Sequence, residues 1–436
     1  MKLLEILFEI WRDNILLPFE NVANFLAYIS SYVRVLPLGI CLLWVSSALG
    51  TWLRKRRTRA DRFPSYVVLI PFYKEIGGAI NTARSLENVY PPPEEVLLLD
   101  DGSPDAPNVE EIQLPPRTRI IRFKPNSGKA SALNRGLKHI SADVAVCMDA
   151  DTENLTRDWR IMLSEFVRDE SLGALTGAIN PKKNKHLCQW FQSLDYIAVI
   201  GLVKSAESGW GCLMTVSGAW VAYRKKAIED VGGWDEKTSA EDIDLSWRMQ
   251  AKGWRLEYNP FWKSKVEMVP TWKGLLRQRI RWCSGLARTL RSHGLSSFSF
   301  GATNMPVACI TLATTLWIFL TTIIVITFLC YLFASFFNLQ GWLTWLWPLL
   351  APLANVNNYW AVPLGFFLQF FVGSLINQTP LKRFLPLALL TPLYFFYFWA
   401  ILFPAWVYGF PRGILHLDKG KWSRSIRESD IKTKQP

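Results

Sequence analysis

Charged side chains are scarce in this chain of 436 residues. Asp, Glu, Lys and Arg together make up 19% of the sequence, against about 25% in typical soluble domains. Residues 292–381 contain none of these four, and the stretch from Phe384 to Pro411 is again free of them. Because a bilayer is the environment that accepts so long an uncharged run, the composition predicts a lipid-facing part.

The cysteines and histidines indicate neither a disulfide framework nor a metal site. The seven cysteines are widely spread, and none forms a CxxC pair or a Cys/His ligand spacing. An odd number of scattered cysteines gives no disulfide framework, and the spacing gives no zinc site.

Positive charge is in excess, with a net charge of +13 from 49 Lys and Arg against 36 Asp and Glu. Such a balance suits nucleic acid, an anionic membrane leaflet or a phosphorylated substrate. The basic residues cluster beside the apolar runs rather than across one soluble face, which excludes a nucleic-acid-binding protein.

The apolar runs predict several membrane spans, since one crossing needs about 20 residues. The candidates are Val35 to Leu53, Pro306 to Phe336, Gly341 to Gln378 as one long or two short crossings, and Phe384 to Phe410. A basic cluster from Arg54 to Arg62 follows the first run, and clustered positive charge stays cytoplasmic. The central segment 55–300 is therefore predicted to be cytoplasmic.

The two ends of the chain complete the predicted topology. The acidic leader and the basic cluster after the first span favour an uncleaved anchor over a signal peptide. The tail His416 to Lys434 is basic, which predicts an even number of crossings after Met305. We favour a hairpin within Phe384 to Phe410, bent around Pro392 or Pro404, because Lys382 and Arg383 would otherwise lie outside.

The central segment alternates short β-rich runs with helical patterns. Buried strands are predicted at Tyr66 to Pro71, Glu95 to Asp100, Arg119 to Phe123 and Asp143 to Asp149. Helices are predicted near 76–89, 128–140 and 158–170. This order is typical of βαβ units on a mainly parallel sheet, whose ligands bind at the carboxyl ends of the strands.

Acidic residues follow two of these strands. Asp100-Asp101-Gly102 and Asp149-Ala150-Asp151 bring paired carboxylates to one edge, and Lys129 begins the helix between them. Hard oxygen ligands suit Mg²⁺ or Mn²⁺ with a phosphorylated ligand, whose charge Lys129 could offset. The alternative for Asp-Asp-Gly is a turn without chemistry.

Two further motifs follow in the chain. Glu241, Asp242 and Asp244 lie at the start of a helical pattern, either as acidic enrichment of a helix N-terminus or as a source of a general base. Gln278-Arg-Ile-Arg281-Trp282 lies in a basic stretch before the long apolar run. That stretch also suits an amphipathic helix on anionic headgroups.

Taken together, these motifs resemble the D, DxD, (T)ED and QxxRW series of membrane-embedded processive family 2 glycosyltransferases, the group of cellulose, chitin, hyaluronan and poly-N-acetylglucosamine synthases. The segments around Ser217, Glu241 and Gln278 are most similar to bacterial poly-β-1,6-N-acetylglucosamine synthases. Two positions depart from that pattern: Ala240 stands before Glu241-Asp242, and Cys283-Ser284 follows Trp282.

The resemblance implies a role for each motif residue. Asp242, beside Glu241, would be the catalytic base, and Asp149 and Asp151 would hold Mg²⁺ or Mn²⁺. Trp282 would present an aromatic face to the acceptor sugar, with Ser217, Gly218 and Trp234 as further sugar contacts. The nucleotide diphosphate would be bound by Phe72, Tyr73, Glu75, Asp101, Lys129, Asp149, Gln278 and Arg281.

The resemblance also implies an architecture and a function. We expect an interfacial segment and membrane helix (1–54), a cytoplasmic α/β GT-A domain with a Rossmann-like, mainly parallel sheet (55–270), an interface helix region (271–300), C-terminal α-helical membrane spans (301–411) and a basic tail (412–436). The expected activity is inverting, processive polymerisation of a UDP-sugar, best UDP-N-acetylglucosamine, into a β-linked polysaccharide translocated across the inner membrane.

Other functions remain open on sequence alone. One is a non-processive enzyme that glycosylates a membrane lipid, and another is a non-enzymatic membrane protein that senses a nucleotide. The first uses the same motifs, whereas the second gives Asp149, Asp151, Asp242 and Gln278 no joint task. Whether a small membrane accessory subunit is required also stays open.

Overall fold

The computed structural model describes residues 38–39, 41–55, 62–104, 109–182, 184–211, 213–238, 240–293, 333, 336, 361–415 and 417. The predicted acidic leader, the span at 306–336 except residues 333 and 336, most of the span at 341–378 and the basic tail except residue 417 lie outside these residues. The chain divides into two compact units, Met1–Leu43 with Cys309–Leu368, and Trp44–Ala308 with Gln369–Pro436.

The smaller unit is described at few positions. Within it, the Cys41 thiol donates a hydrogen bond to the carbonyl oxygen of Gly365 at 3.1 Å. The larger unit contains the sheet and all the motifs, and it is described below by itself.

An eight-stranded mixed sheet forms the centre of the larger unit, with strand order β3-β2-β1-β4-β7-β6-β8-β5. Strands β1 to β4 run parallel, β7 is antiparallel to both of its neighbours, and β6 and β8 are again parallel. The strands are β1 (Tyr66–Phe72), β2 (Val96–Asp100), β3 (Thr118–Arg122), β4 (Val144–Met148), β5 (Glu153–Asn154), β6 (Leu172–Pro181), β7 (Trp220–Arg224) and β8 (Arg255–Val266).

The four parallel strands agree with the sequence prediction. β1, β2 and β4 are buried at every position, as expected for strands covered on both faces. Alternate residues along them divide between two cores, with Leu69 and Leu97 in one and Ile70 and Leu98 in the other. A mainly parallel α/β sheet, as predicted, is therefore confirmed.

Helices cover both faces and continue beyond the sheet. They are α1 (41–55), α2 (Ile76–Arg84), α3 (Lys129–Leu137), α4 (Arg160–Arg168), α5 (Leu187–Leu194), α6 (Leu202–Gly209), α7 (Lys225–Asp230), α8 (Glu241–Ala251), α9 (Trp272–His293), α10 (Ala361–Ile376), α11 (Leu381–Leu390), α12 (Tyr394–Tyr397) and α13 (Phe403–Ile414). A π-helical segment, Asp195–Gly201, joins α5 to α6 in one continuous helical run.

A buried lysine ties α1 to the sheet domain. The Lys55 ammonium forms ion pairs with Glu165 on α4, at 2.8 Å, and with Glu257 on β8. Above it, Ala48 packs in an apolar cluster with Leu202 and Ala206 of α6. Part of the basic cluster that follows the first apolar run is thus used for packing within the protein.

The C-terminal helical segment from α11 to α13 contacts the sheet domain near its start and near its end. At the start, the Arg383 guanidinium donates to the carbonyl oxygens of Pro181 and Lys182 at 2.9 and 2.8 Å. At the end, α13 packs along α9. Among the described residues no single helix has both the length and the apolar character to cross a bilayer, but Leu381–Leu393 and Phe398–Ile414, bent by 69°, meet those criteria as a pair.

Two glycines allow α13 to lie against the backbone of α9. A Cβ at Gly409 would lie 2.7 Å from the Ile280 carbonyl oxygen, and one at Gly413 would lie 2.1 Å from that of Ser284. Small residues four apart let helix backbones approach closely, as they do here. The position of α9, which carries Gln278, Arg281 and Trp282, therefore depends on these glycines.

We expect Gly413→Ala to destabilise the protein by about 2 kcal/mol, because the added methyl group would overpack the interface between α13 and α9. Thermal unfolding of the purified chain measures the loss. Gly77→Ala on α2 is the matched control, since a Cβ there meets no atom within 4 Å. Equal melting temperatures for the two variants would contradict the close approach.

Candidate functional site

The Asp149-Ala150-Asp151 segment lies where β4 ends, at the carboxyl edge of the parallel strands. The Asp149 backbone N–H donates to the Ala219 carbonyl oxygen at 3.3 Å, and the hydroxyl of Thr152 donates to the same oxygen at 3.1 Å. Gly78 packs against the Ala150 carbonyl, because a Cβ there would lie 2.9 Å from that oxygen. The loop with both acids is therefore held from two sides.

Lys129 joins three of the motifs. Its Nζ lies 2.6 Å from Asp149 Oδ1 and 3.4 Å from Glu241 Oε1, and it donates to the Gly218 carbonyl oxygen at 3.2 Å. The lysine side chain is 12% exposed and that of Glu241 10%, whereas the Asp149 side chain keeps 34%. Asp149 is thus the member of this cluster that can still reach a ligand.

Glu241 and Asp242 begin α8 and differ in their surroundings. Glu241 is buried against Lys129, while Asp242 is half-buried and accepts the Gly218 backbone N–H on Oδ2 at 3.0 Å. A Cβ at Gly218 would come within 3.1 Å of the same oxygen. Glycine at position 218 therefore lets the Asp242 carboxylate approach the backbone, and Oδ1 accepts the Ile243 backbone N–H at 2.9 Å, so both oxygens are oriented while the side chain stays half-buried.

Burial and charge set the protonation of the Lys129 pair. Burial raises the pKa of Glu241, and the Lys129 cation lowers it in part. Burial alone would lower the pKa of Lys129, but the Asp149 and Glu241 carboxylates raise it above the usual lysine range. Lys129 therefore stays positively charged next to the acids.

Asp101 organises the loop that precedes Lys129. Its carboxylate accepts the backbone N–H groups of Ser127 and Gly128 at 3.0 and 2.6 Å, and its carbonyl oxygen accepts the Asn126 amide at 2.8 Å. Gly102 adopts a φ of +78°, which favours glycine. Asp-Asp-Gly therefore forms a turn, and Asp101 fixes the start of α3.

The α9 helix places Gln278, Arg281 and Trp282 beside the acids. All three are half-buried and share a helix face, at spacings of three and four residues. The contact is close because a Cβ at Gly285 would lie 2.4 Å from the Ala240 Cβ, directly before Glu241. The positive charge of Arg281 is near enough to lower the pKa of Glu241, after burial and the contributions of Lys129 and Asp242.

Two of the predicted residues lie in the hydrophobic cores. Phe72 is 4% exposed and packs with the core on one face of the sheet. Trp234 is 3% exposed, and its ring packs edge-on against Tyr223 at 5.6 Å. Both side chains therefore lie in the interior and not in the groove, the region bounded by Asp149, Asp242 and the α9 residues Gln278, Arg281 and Trp282.

The remaining predicted residues lie in the loop after β1 and directly before Gly218. Tyr73 is half-buried, with the Lys74 ammonium 5.2 Å from its ring centre, and Glu75 directly precedes α2. The Ser217 backbone N–H donates to the Thr176 hydroxyl at 3.2 Å. Their roles stay predictions.

The two acids of the β4 loop suit a divalent cation that also binds the phosphate oxygens of a substrate. Asp149 and Asp151 supply hard oxygen atoms, which Mg²⁺ and Mn²⁺ prefer. Within the described part of the chain, no group of three or more His, Cys, Asp or Glu side chains could hold a metal ion. Mg²⁺ commonly binds through one or two carboxylates together with substrate phosphates, and this donor set suits that mode.

Sequence reasoning missed a second layer beneath the groove, made of Asp195, Tyr196, Arg279, Tyr394 and Tyr397. Burial, and to a smaller extent the carboxylates of Asp195, Asp151 and Asp149, raises the pKa of Tyr196, so this side chain lies near the β4 acids. The available signal was Asp195 itself, a lone acid in the otherwise apolar run from Leu194 to Ile200.

Comparison with known proteins points to one family. Residues 144–339 match the family model described as glycosyl transferase family group 2. The chain is 30% identical over 234 residues to a poly-beta-1,6-N-acetyl-D-glucosamine synthase of Staphylococcus aureus strain MSSA476, covering 53% of this chain and 57% of that protein. The corresponding synthase of Staphylococcus epidermidis is 26% identical over 269 residues, with 59% and 65% covered.

The alignments thus span little more than half the length of these curated relatives. Among solved structures, the chain is similar to a mannosyltransferase from Pyrobaculum calidifontis in complex with GDP-Man and Mn²⁺, with a TM-score of 0.49 and 16% identity. That comparison covers 88% of this chain and 100% of the other. The family match and the sheet together confirm the predicted glycosyltransferase fold.

We expect Lys129→Met to destabilise the protein by about 3 kcal/mol near neutral pH, because it leaves the buried Glu241 carboxylate without its cation. Without Lys129 the pKa of Glu241 rises further, and a carboxyl with a raised folded-state pKa loses stability as pH rises above its unfolded value. The loss should therefore be larger at about pH 8 than at about pH 5. Thermal unfolding at both pH values measures it.

Lys265→Met is the matched control for this change. Lys265 pairs with Glu153 at 2.7 Å, but the two side chains are 31% and 40% exposed. An exposed pair contributes less than about 1 kcal/mol. A pH-independent loss in Lys129→Met, equal to that of the control, would contradict the buried cluster.

Proposed function

Because residues 144–339 match the model of glycosyl transferase family group 2, we propose that the chain transfers a sugar from a UDP-sugar to a growing polysaccharide with inversion at the anomeric carbon. The observation that carries the proposal is the convergence of Lys129, Asp149 and Glu241 at one sheet edge, with the open carboxylate of Asp242 beside them. A nucleotide sensor would need no such half-open acid next to a buried cation.

Asp242 is the proposed general base. It removes the proton from the acceptor hydroxyl while that oxygen attacks the anomeric carbon from the face opposite the diphosphate. The Gly218 N–H, 3.0 Å from Asp242 Oδ2, and the Ile243 N–H, 2.9 Å from Oδ1, orient the carboxylate. Each oxygen keeps a further lone pair with which it can accept the proton of the acceptor hydroxyl. One direct displacement inverts the configuration, so an α-linked donor gives a β-linked product.

The leaving diphosphate is bound between α9 and the acids of the β4 loop. Arg281 and Gln278 on α9 approach it from one side, and Asp149 and Asp151 face it from the other, with Tyr73 and Glu75 nearer the nucleoside. Asp101 contributes by fixing the start of α3, because both of its carboxylate oxygens accept backbone N–H groups. A bound Mg²⁺ or Mn²⁺ would offset negative charge on the leaving group. Lys129 holds the Asp149 carboxylate through their 2.6 Å ion pair while that side chain stays 34% exposed.

The donor is proposed to be UDP-N-acetylglucosamine and the product a β-1,6-linked polymer. Support comes from the names of the two staphylococcal relatives and from the alignment over the segment that contains these motifs. Trp282 would carry the acceptor sugar on its ring, with Ser217 and Gly218 nearby.

Processive synthesis and export are proposed on the basis of the uncharged C-terminal sequence. Residues 292–381 lack charge, and the bent pair Leu381–Leu393 with Phe398–Ile414 has the length and apolar character of a span. The proposed location is the inner membrane, with the catalytic domain in the cytoplasm beside the basic residues 54–62.

We expect Asp242→Asn to lower UDP release from UDP-N-acetylglucosamine by about three orders of magnitude, because the amide cannot take the proton. UDP affinity should stay within a few-fold of that of the wild type, measured by calorimetry. Asp235→Asn is the control, since its carboxylate accepts the Lys237 backbone N–H at 3.0 Å in a turn before α8.

A parallel collapse of UDP binding would place Asp242 in the nucleotide site instead. Product length from the wild-type reaction separates a polymerase from an enzyme that adds single sugars to a lipid. If a panel of UDP- and GDP-sugars gave no nucleotide release, the proposed function would fail.

We expect Asp151→Asn to abolish transfer while the protein stays folded, because the metal loses one of its two protein ligands. The assay is turnover against Mg²⁺ and Mn²⁺ concentration, with Asp158→Asn as a control at a carboxylate that pairs with Arg160 at 2.9 Å. Near-normal turnover of the Asp151 variant at saturating metal would rule out the metal assignment.

A further inference from the structure

A buried polar network lies beneath the α9 helix. Asp195, the first residue of the π-helical segment, accepts hydrogen bonds from Arg279 Nη2 at 2.7 Å and from the Tyr397 hydroxyl at 2.6 Å on one oxygen. The Tyr394 hydroxyl donates to its other oxygen. Three separate parts of the chain therefore meet at one carboxylate.

Burial of this ion pair is nearly complete. The side chains of Asp195 and Arg279 are 5% and 6% exposed. Removing two charges from water costs about as much free energy as their attraction returns, so such a pair adds little net stability. Buried pairs of this kind are better explained by the geometry that they fix, and π-helical segments often lie at functional sites.

The network contacts Trp282, whose ring is the proposed binding surface for the acceptor sugar. The Arg279 guanidinium carbon lies 4.3 Å from the centre of the Trp282 ring, one helical turn further along α9. Because Asp195 accepts a hydrogen bond from Arg279 Nη2, the guanidinium over the indole ring is held in one orientation. Tyr397 is held in turn, because its ring stacks on Phe191 at 5.0 Å with an interplanar angle of 8°.

We propose that Asp195 is a positioning residue for acceptor transfer, acting through Arg279 to fix the orientation of the Trp282 ring. This inference rests on the proposed function. It assigns to Asp195, Arg279, Tyr394 and Tyr397 the role of positioning the Trp282 ring, which binds the acceptor sugar. The donor diphosphate contacts other groups. The network should therefore affect transfer to a sugar acceptor more than transfer to water.

The test measures two reactions of the full-length protein in detergent with UDP-N-acetylglucosamine. One is UDP release to water, and the other is transfer to a β-1,6-linked N-acetylglucosamine oligosaccharide. In Asp195→Asn we expect transfer efficiency to fall about 10- to 100-fold through a raised KM for the oligosaccharide. Hydrolysis of the donor should stay within about three-fold of the wild-type rate.

Arg279→Lys separates positioning from simple charge pairing. Lysine keeps a cation for Asp195 but loses the planar group that stacks on Trp282. Positioning predicts the same selective loss of transfer in Arg279→Lys. Wild-type transfer in this variant would overturn the proposal, as would a parallel fall of both reactions in either variant.

Asp169→Asn is the matched control, because Asp169 also forms a 2.7 Å ion pair with an arginine, Arg255, at the amino-terminal edge of β6 and β8. It should leave both reactions unchanged. If Asp195→Asn does not fold, the double variant Tyr394→Phe and Tyr397→Phe keeps the ion pair and removes only the two hydroxyl donors.

That double variant should show the same split between the two reactions, with a loss of transfer of about three- to ten-fold. An unchanged KM for the oligosaccharide in it would overturn the proposal. A wild-type protein that neither hydrolyses UDP-N-acetylglucosamine nor transfers its sugar would instead refute the proposed function, which keeps the two failures distinct.

Discussion

The ion pair of Lys129 with Asp149 and Glu241 is the interaction on which the rest of the site depends. It connects the start of α3, the end of β4 and the start of α8 at one point, 2.6 and 3.4 Å from a single ammonium. Electrostatic repulsion between the acids would otherwise drive these elements apart. With the cation present, several carboxylates can share one edge of the sheet while Asp149 and Asp242 remain half-open.

Close backbone contact sets the position of α9, which forms one side of the groove. Gly285 lies against Ala240, and Gly409 and Gly413 bring α13 against the other side of α9. A helix held this way has little freedom to slide, because interiors are close-packed. Ala240, which departs from the motif of the related synthases, has a small side chain where α9 approaches most closely.

Much of the fold and the acids of the site could be predicted from sequence, because both follow local patterns. Buried runs such as Tyr66–Phe72 mark parallel strands, and parallel strands bring Asp149 and Asp101 to the same edge. The structural roles of Asp101 and Trp234 could not be predicted, since a turn acid and a ligand acid look alike in sequence. The Asp195 network was missed because its partners are 84 to 202 positions away.

The chain positions of that network have a consequence for biosynthesis. A nascent chain folds from its N-terminus, so the sheet domain emerges with Asp195 and Arg279 well before the two tyrosines, 199 and 202 positions after Asp195. Until Tyr394 and Tyr397 arrive, the carboxylate has only the arginine and water as partners. The surroundings of Arg279 and Trp282 thus reach their final geometry only after Tyr397 has been made, whereas the Lys129 cluster can form once Glu241 is present.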